Sequence, residues 1–314
     1  MAAQILVVGC GAIGGLFAAA LSSVADVCTY DADPDHVRAI NARGLRIGGS
    51  RPQTVRIAAA NDPGEFGDRS FDVVLFLVKS KLTAAALGSV RPLLPGKPVL
   101  ATLQNGMGNA EVLLGVPNAT VIRGVTMNAG RYVGPGEVDR LISGKTWIGP
   151  ARGAVEQLHP LAALLNAGGM ETEVIADPMG AVWSKFVFNC VMNPLGALMM
   201  GDNAARYDSP DMRKLIDDMA AECIAVVGAL GGTFAFPPME FVEKVRSGEF
   251  PVSQHAGSMA LDIARGAQTE IDELTGFIVR EGERLNVAVP NCKAVYRLVK
   301  GLEQAARRRT VKAR

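Results

Sequence analysis

The chain has 314 residues, 49% of them hydrophobic and 20% charged, with a formal net charge of +1. That length accommodates two domains with separate cores, and that balance is that of a globular protein. Near-neutral charge argues against nucleic acid or an anionic membrane surface as a partner.

In chain order, the first informative stretch is "AQILVVGCGAIGGLFAAALSSVADVCTYD". A β-branched run, Ile5 to Val8, leads into Gly9-Cys10-Gly11-Ala12-Ile13-Gly14, then an alanine-rich helical segment, then a second strand at Val27 to Tyr30. This is the strand–glycine loop–helix–strand context of a dinucleotide-binding turn. Gly9 permits the tight turn, Gly11 lets the backbone approach a pyrophosphate, and Gly14 allows helix and strand to pack closely. Ala12 and Ile13 begin the helix, whose free N–H groups face the phosphates. Asp31 closes the second strand, where an acid accepts from the adenosine ribose hydroxyls and repels a 2′-phosphate. It can equally be a turn aspartate of "YDADPD".

Two further buried strands follow, "FDVVLFLVKS" ending in Lys79 and "KPVLATLQNGMGN" ending in Asn105-Gly106. Ligands collect beyond the carboxyl ends of strands in an open α/β sheet, so Lys79 and Asn105 are candidate cofactor contacts. The pieces "VIRGVT", "GEVDRLI" and "KTWIGP" are expected to extend the sheet as hairpin-like additions.

From about residue 176 the pattern becomes helical, with apolar-periodic segments at 180–199, 209–230, 237–247, 256–285 and 293–307. Pro237-Pro238 and Ser253 mark helix starts, and the glycine pair 231–232 marks an end. The expected fold is α/β: a Rossmann dinucleotide-binding domain over 1–175, then an all-helical substrate domain over 176–314.

Within "WSKFVFNCVMNPLG", Lys185, Asn189 and Asn193 recur every four residues and so form one stripe on a helix. The rest of the segment is apolar, so buried polar groups there require partners. Pro194 lacks an N–H and disfavours a straight helix, which frees a carbonyl. In "HAGSMALDIARGAQTEIDELTGF", Ser258 opens a helix as an N-cap and Glu270 follows 12 residues later. On one continuous helix that is roughly three and a third turns, which puts Ser258, Asp262 and Glu270 near one face.

The five cysteines (Cys10, Cys28, Cys190, Cys223, Cys292) lack metal-ligand spacing, and none of the three histidines lies in a zinc-type motif. No metal is expected, and the thiol pattern fits reduced cysteines in a cytoplasmic protein. The N-terminus enters its first strand without a basic leader, and no apolar run is long enough to span a bilayer. "RRRTVKAR" reads as a solvated C-terminal tail.

Together these pieces resemble the ketopantoate reductase (2-dehydropantoate 2-reductase) family, on "GCGAIG", "LQNGMGN", "WSKFVFNCVMNPLGAL", "SM…DI…G…TEID" and "GERLNVAVPN". The likeness spans nearly the whole chain in the right order. It implies NAD(P)H-dependent reduction of 2-dehydropantoate to pantoate, a step of pantothenate biosynthesis. By this resemblance Lys185 is the catalytic lysine, and Asn189 and Asn193 line the substrate pocket. Glu270 binds the substrate's hydroxyl end and orients the lysine. Ser258 contacts substrate, and Asn105 lies near nicotinamide and substrate.

Two departures stand out. Relatives that use NADPH carry a basic residue near the position of Asp31, so the acid here points to NADH, while Lys79 resembles a family lysine near the 2′-phosphate. His255 stands where a substrate-touching asparagine is common, and "ALDI" replaces "LQDI". The alternatives are an NAD-dependent 2-hydroxyacid dehydrogenase acting on another 2-keto acid, and a nucleotide-sensing protein without turnover. The apolar C-terminal helices are compatible with a homodimer and equally with burial inside one chain.

Overall fold

The computed structural model describes residues 2–94, 96–200, 203–252 and 256–312. The chain divides into two compact units, Met1–Pro178 and Met179–Arg314, the first α/β and the second helical.

The first unit opens with β1 (Gln4–Val8), α1 (Ala12–Leu21), β2 (Asp26–Tyr30) and α2 (Pro34–Arg43). Next come β3 (Leu45–Gly49), β4 (Gln53–Val55), β5 (Ala58–Ala60), β6 (Val73–Phe76), α3 (Thr83–Val90) and β7 (Val99–Thr102). The unit closes with α4 (Asn109–Leu114), β8 (Thr120–Thr126), β9 (Ala129–Gly134), β10 (Glu137–Ile142), β11 (Thr146–Arg152), α5 (His159–Ala167) and β12 (Thr172–Val174).

One eight-stranded sheet runs β12-β11-β8-β7-β6-β1-β2-β5. From β5 to β8 its neighbours are all parallel, and this part has the doubly wound order of a Rossmann fold. The order reverses between β1 and β6, so the crevice at their carboxyl ends is the expected ligand position. Ile5, Leu6, Val7 and Val8 are all fully buried, as a central parallel strand covered on both faces must be. Ile5 and Val7 face a core shared with α1 and α5, while Leu6 and Val8 face one shared with α3 and α4. Both edge strands, β5 and β12, are three residues long.

The hairpin expectation holds only in part. "VIRGVT" is β8, which pairs parallel to β7 through α4 and is therefore another βαβ unit. "KTWIGP" falls in β11, antiparallel to β8, and α5 then returns the chain to β12, parallel to β11. "GEVDRLI" does form a hairpin, with β9, but in a separate four-stranded sheet of order β4-β3-β10-β9. A helix as short as α4 gives too little periodicity to be read from sequence.

The second unit contains α6 (Met179–Leu198), α7 (Ala205–Asp208), α8 (Pro210–Ala229), α9 (Glu240–Arg246), α10 (Ser258–Ala264), α11 (Thr275–Leu285) and α12 (Pro290–Lys312). Helix α6 packs against α8, α10, α11 and α12 and is buried on most of its surface, which explains its nearly continuous apolar sequence. Trp183 and Phe186 of α6 meet Phe277 of α11 in an aromatic cluster.

Segment 256–285 is not one helix. Gly266 adopts φ +67, and the chain leaves helical geometry from Arg265 to Leu274 before α11 begins. The shared face inferred for Ser258, Asp262 and Glu270 therefore holds only for Ser258 and Asp262, one turn apart on α10, and does not extend to Glu270. Ser258 is also not the cap: Gly257 occupies that position, and Ser258 is the first helical residue. Pro194, by contrast, leaves α6 continuous. The carbonyl it deprives of a partner, that of Cys190, accepts instead from the buried Thr275 hydroxyl at 2.7 Å.

Candidate active site

In the first unit, Gly9 lies at φ +91, and a Cβ there would fall 2.7 Å from Val78 in the loop after β6. The turn is thus pressed against the neighbouring strand end, where only glycine fits. A Cβ on Gly14 would lie 1.7 Å from the Gly9 carbonyl oxygen, so helix and turn pack backbone to backbone. Gly11, the N-cap of α1, has the opposite environment: a Cβ there would meet nothing within 4 Å. The open side of the loop and the N–H groups of Ala12 and Ile13 at the start of α1 make a cradle suited to a pyrophosphate.

The Cys10 peptide is held from both sides. Its N–H donates to Asp31 Oδ2 at 2.8 Å, and its carbonyl accepts from His36 Nε2 at 2.9 Å. His36 is 1% exposed, and its Nδ1 accepts from the Gly136 N–H at 2.8 Å, in the turn between β9 and β10. Those two bonds require a neutral ring with its proton on Nε2. The second sheet is thereby tied to the glycine loop through one imidazole. Asp31 Oδ1 also accepts from the Asp33 N–H at 3.0 Å, so the strand-end acid is a turn aspartate as well as a loop anchor. Burial pushes the Cys10 thiol up to about 12, which removes it as a nucleophile.

Lys79 lies three residues past β6, and Asn105 three residues past β7, both half-buried. The two loops are joined by a polar network. The Asn105 carbonyl accepts from Ser80 Oγ at 2.6 Å and from Asn109 Nδ2 at 3.0 Å. Gln104 Nε2 donates to the Val78 carbonyl at 2.7 Å and to Thr83 Oγ1 at 2.8 Å. The polar letters of "LQNGMGN" thus lock the strand-end loops together. Ser80, Thr83, Gln104, Asn109 and His36 were not singled out from sequence. Of these, Ser80, Gln104 and Asn109 carried a signal, as polar residues within the quoted strand-end stretches.

In the second unit, Lys185, Asn189 and Asn193 share one stripe of the unbroken α6. Asn189 is 6% exposed, so this stripe is not a solvent-facing one. Lys185 and Asn193 are half-buried. Desolvation pulls the Lys185 ammonium down from 10.5 to about 8, and the Glu270 carboxylate opposes that fall. Glu270 lies in the irregular segment between α10 and α11, half-buried, and its carbonyl accepts from the Leu274 N–H at 3.0 Å. Ser258, also half-buried, opens α10, which packs on α6. His255 and Ser253 lie outside the described residues. Among the described residues no group of side chains could hold a metal ion, and no helix is long and apolar enough to cross a membrane.

A doubly wound sheet with a glycine turn at its switch point, followed by a helical unit bearing a desolvated lysine beside a carboxylate, defines a dinucleotide-dependent oxidoreductase. Comparison with known proteins narrows the class. Residues 5–153 match the family model "Ketopantoate reductase PanE/ApbA", and residues 177–303 match its C-terminal counterpart. The chain belongs to the ketopantoate reductase family.

A 2-dehydropantoate 2-reductase of Halobacterium salinarum is 32% identical over 95% of this chain and 98% of the relative. A PanE/ApbA family ketopantoate reductase from Ralstonia eutropha JMP134 is 30% identical, with a TM-score of 0.84 over 96% of this chain and 99% of that one. D-mandelate dehydrogenase, solved with NADH and anilino(oxo)acetate, reaches a TM-score of 0.87 over 96% of this chain and 99% of that one. At 23% identity, that likeness is one of fold.

Proposed function

We propose that this protein reduces 2-dehydropantoate to pantoate with a nicotinamide dinucleotide, and that Lys185 is the proton donor. The observation that carries the reading is the half-buried lysine on α6, lowered to about 8 with Glu270 acting against the fall. Reducing a 2-keto acid builds negative charge on the carbonyl oxygen, and an ammonium within reach both stabilises that charge and delivers the proton. An ordinary lysine at 10.5 is a reluctant acid near neutrality. One near 8 gives up its proton readily, and Glu270 keeps it charged until it does.

Asn189, Asn193 and Ser258 offer neutral donors and acceptors for the substrate's carboxylate and hydroxyl. His255 is the further candidate for that wall. Gly9, Gly11, Ala12, Ile13 and Gly14 would hold the cofactor pyrophosphate, with Asp31, Lys79 and Asn105 around the remainder. When bound, the dinucleotide supplies the hydride to the keto carbon.

NADH is the cofactor this site favours. The Asp31 carboxylate is fixed by two backbone N–H donors, so it cannot swing away from a 2′-phosphate. Lys79 is compatible with either cofactor.

Initial rates with NADH and with NADPH, measured with and without 2-dehydropantoate, test the reading. Ketopantoate-dependent oxidation is expected, faster with NADH, and falling about tenfold per pH unit above about 8 as Lys185 loses the proton it must donate. Lys185→Ala is expected to cut turnover by at least about a hundredfold with cofactor affinity unchanged. Turnover with other 2-keto acids but not with this one would point to the hydroxyacid dehydrogenase alternative, for which His255 is the motivating substitution. Cofactor binding without turnover on any keto acid would point to a sensor.

A further inference from the structure

We propose that Glu303, on the last helix, is a positioning residue that holds the Glu270 segment in register with Lys185. The inference rests on the catalytic reading of those two residues. Residues 265–274 are not helical, and Glu270 sits there in an irregular turn whose carbonyl accepts from the Leu274 N–H. The residues on either side of it are bonded to α12.

Glu303 is 3% exposed, and its Oε1 accepts two bonds from Thr269, from the N–H at 2.7 Å and from Oγ1 at 2.7 Å. The Thr269 oxygen in turn accepts from the Ile271 N–H at 3.2 Å, which closes a loop of bonds around residue 270. On the far side, Asp272 Oδ1 accepts from Tyr296 Oη at 2.7 Å and Oδ2 from Lys300 Nζ at 2.7 Å, both on α12. Lys300 also lies 3.2 Å from Glu303 Oε2, so one ammonium serves both anchors.

A carboxylate is costly to bury unless it is paired and hydrogen-bonded. Glu303 has three such bonds, and two of them fall on the residue directly before Glu270. A fold that needed only apolar packing between α12 and this segment would not place a charge there. The arrangement makes sense if the carboxylate at 270 must stay within a fraction of an ångström, because charge–charge interactions and proton donation both depend steeply on distance. It also accounts for the outer letters of "TEID": Thr269 and Asp272 are the two clamps on either side of Glu270.

The test compares Thr269→Val, Thr269→Ser and Glu303→Gln with the parent enzyme. Cofactor affinity, kcat and the pH profile of kcat are measured for each. The titratable groups facing the site are Lys185 on α6, Glu270 and Asp272 in the irregular segment, Arg280 on α11, and Tyr296, Lys300 and Glu303 on α12.

Thr269→Val is expected to lower kcat about tenfold or more with NADH affinity unchanged. Its basic limb should shift to lower pH, because a displaced Glu270 no longer helps Lys185 retain its proton. Thr269→Ser should restore both, and Glu303→Gln should lie between, since an amide oxygen still accepts but without charge. A general loss of stability with an unmoved basic limb in Thr269→Val and Glu303→Gln would overturn the positioning role. Lys185→Ala run alongside separates the two failures. If Lys185→Ala is inactive and the limb does not move, only the positioning role is lost. If Lys185→Ala turns over normally, the catalytic reading falls and the positioning role with it.

Discussion

The backbone of Cys10 shows how a single residue can be held through its N–H and its carbonyl. Asp31 takes its N–H and His36 its carbonyl, so the orientation of the glycine turn is set by two residues beyond the loop. The spacing of Asp31 from the glycines was legible, since an acid ending the second strand is a pattern. Its bond to Cys10 was not, because a hydrogen bond to backbone leaves no trace in the sequence of the acceptor's partner. His36 was legible only as a histidine outside any metal motif. Asp31→Arg is expected to shift preference from NADH toward NADPH, read as the ratio of kcat/KM for the two. It should also lower affinity for both, because the Cys10 N–H loses its acceptor. An unchanged ratio would confine Asp31 to its anchoring bonds.

Among the elements, α6 carries the proposed proton donor and also a local conflict, a proline in its interior. A proline in a helix interior costs about 3 kcal/mol or more, partly because the carbonyl four residues earlier loses its donor. Here the buried Thr275 hydroxyl replaces that donor. Thr275→Val keeps the volume and removes the hydroxyl, leaving the Cys190 carbonyl unsatisfied. A loss of about 1–3 kcal/mol is expected, measured as a lower denaturant midpoint with an unchanged slope. The stripe of Lys185, Asn189 and Asn193 was legible because it depends only on helical period. The relation of Ser258 to Glu270 was misread for the same reason: periodicity assumes one continuous helix. The helix ends at Ala264, just before Gly266 at positive φ, and bonds from Thr269 and Asp272 to α12 hold the irregular residues that follow. Glu303 itself could not be found from sequence, where it is one acid in a charged helix.

At the scale of the molecule, the α/β-then-helical layout followed from strand runs giving way to long apolar periods. The four-stranded sheet did not, since β3 pairs with β10 some ninety residues on, and pairing between distant segments has no local signature. The expected behaviour of the whole chain with cofactor is stabilisation by linkage. At a concentration one hundred times its dissociation constant, NADH should add about 2.7 kcal/mol, seen as a rise in Tm. In Gly14→Ala that rise should vanish, because the added carbon would overlap the Gly9 carbonyl and displace the loop. A preserved shift in that variant would mean the cofactor does not rest on this turn.

The two ends of the eight-stranded sheet have a consequence for the protein in crowded solution. An exposed strand edge is a template on which another chain can add, and long flat edges seed aggregation. Here each edge offers three residues, and one of them, β12, carries Glu173 paired with Lys145 at 2.8 Å. A foreign strand that docked there would gain too few bonds to offset the entropy of its own ordering. The broad central ladder, which is what a reductase needs to aim its loops, is thus shielded from the polymerisation that a sheet of this width invites.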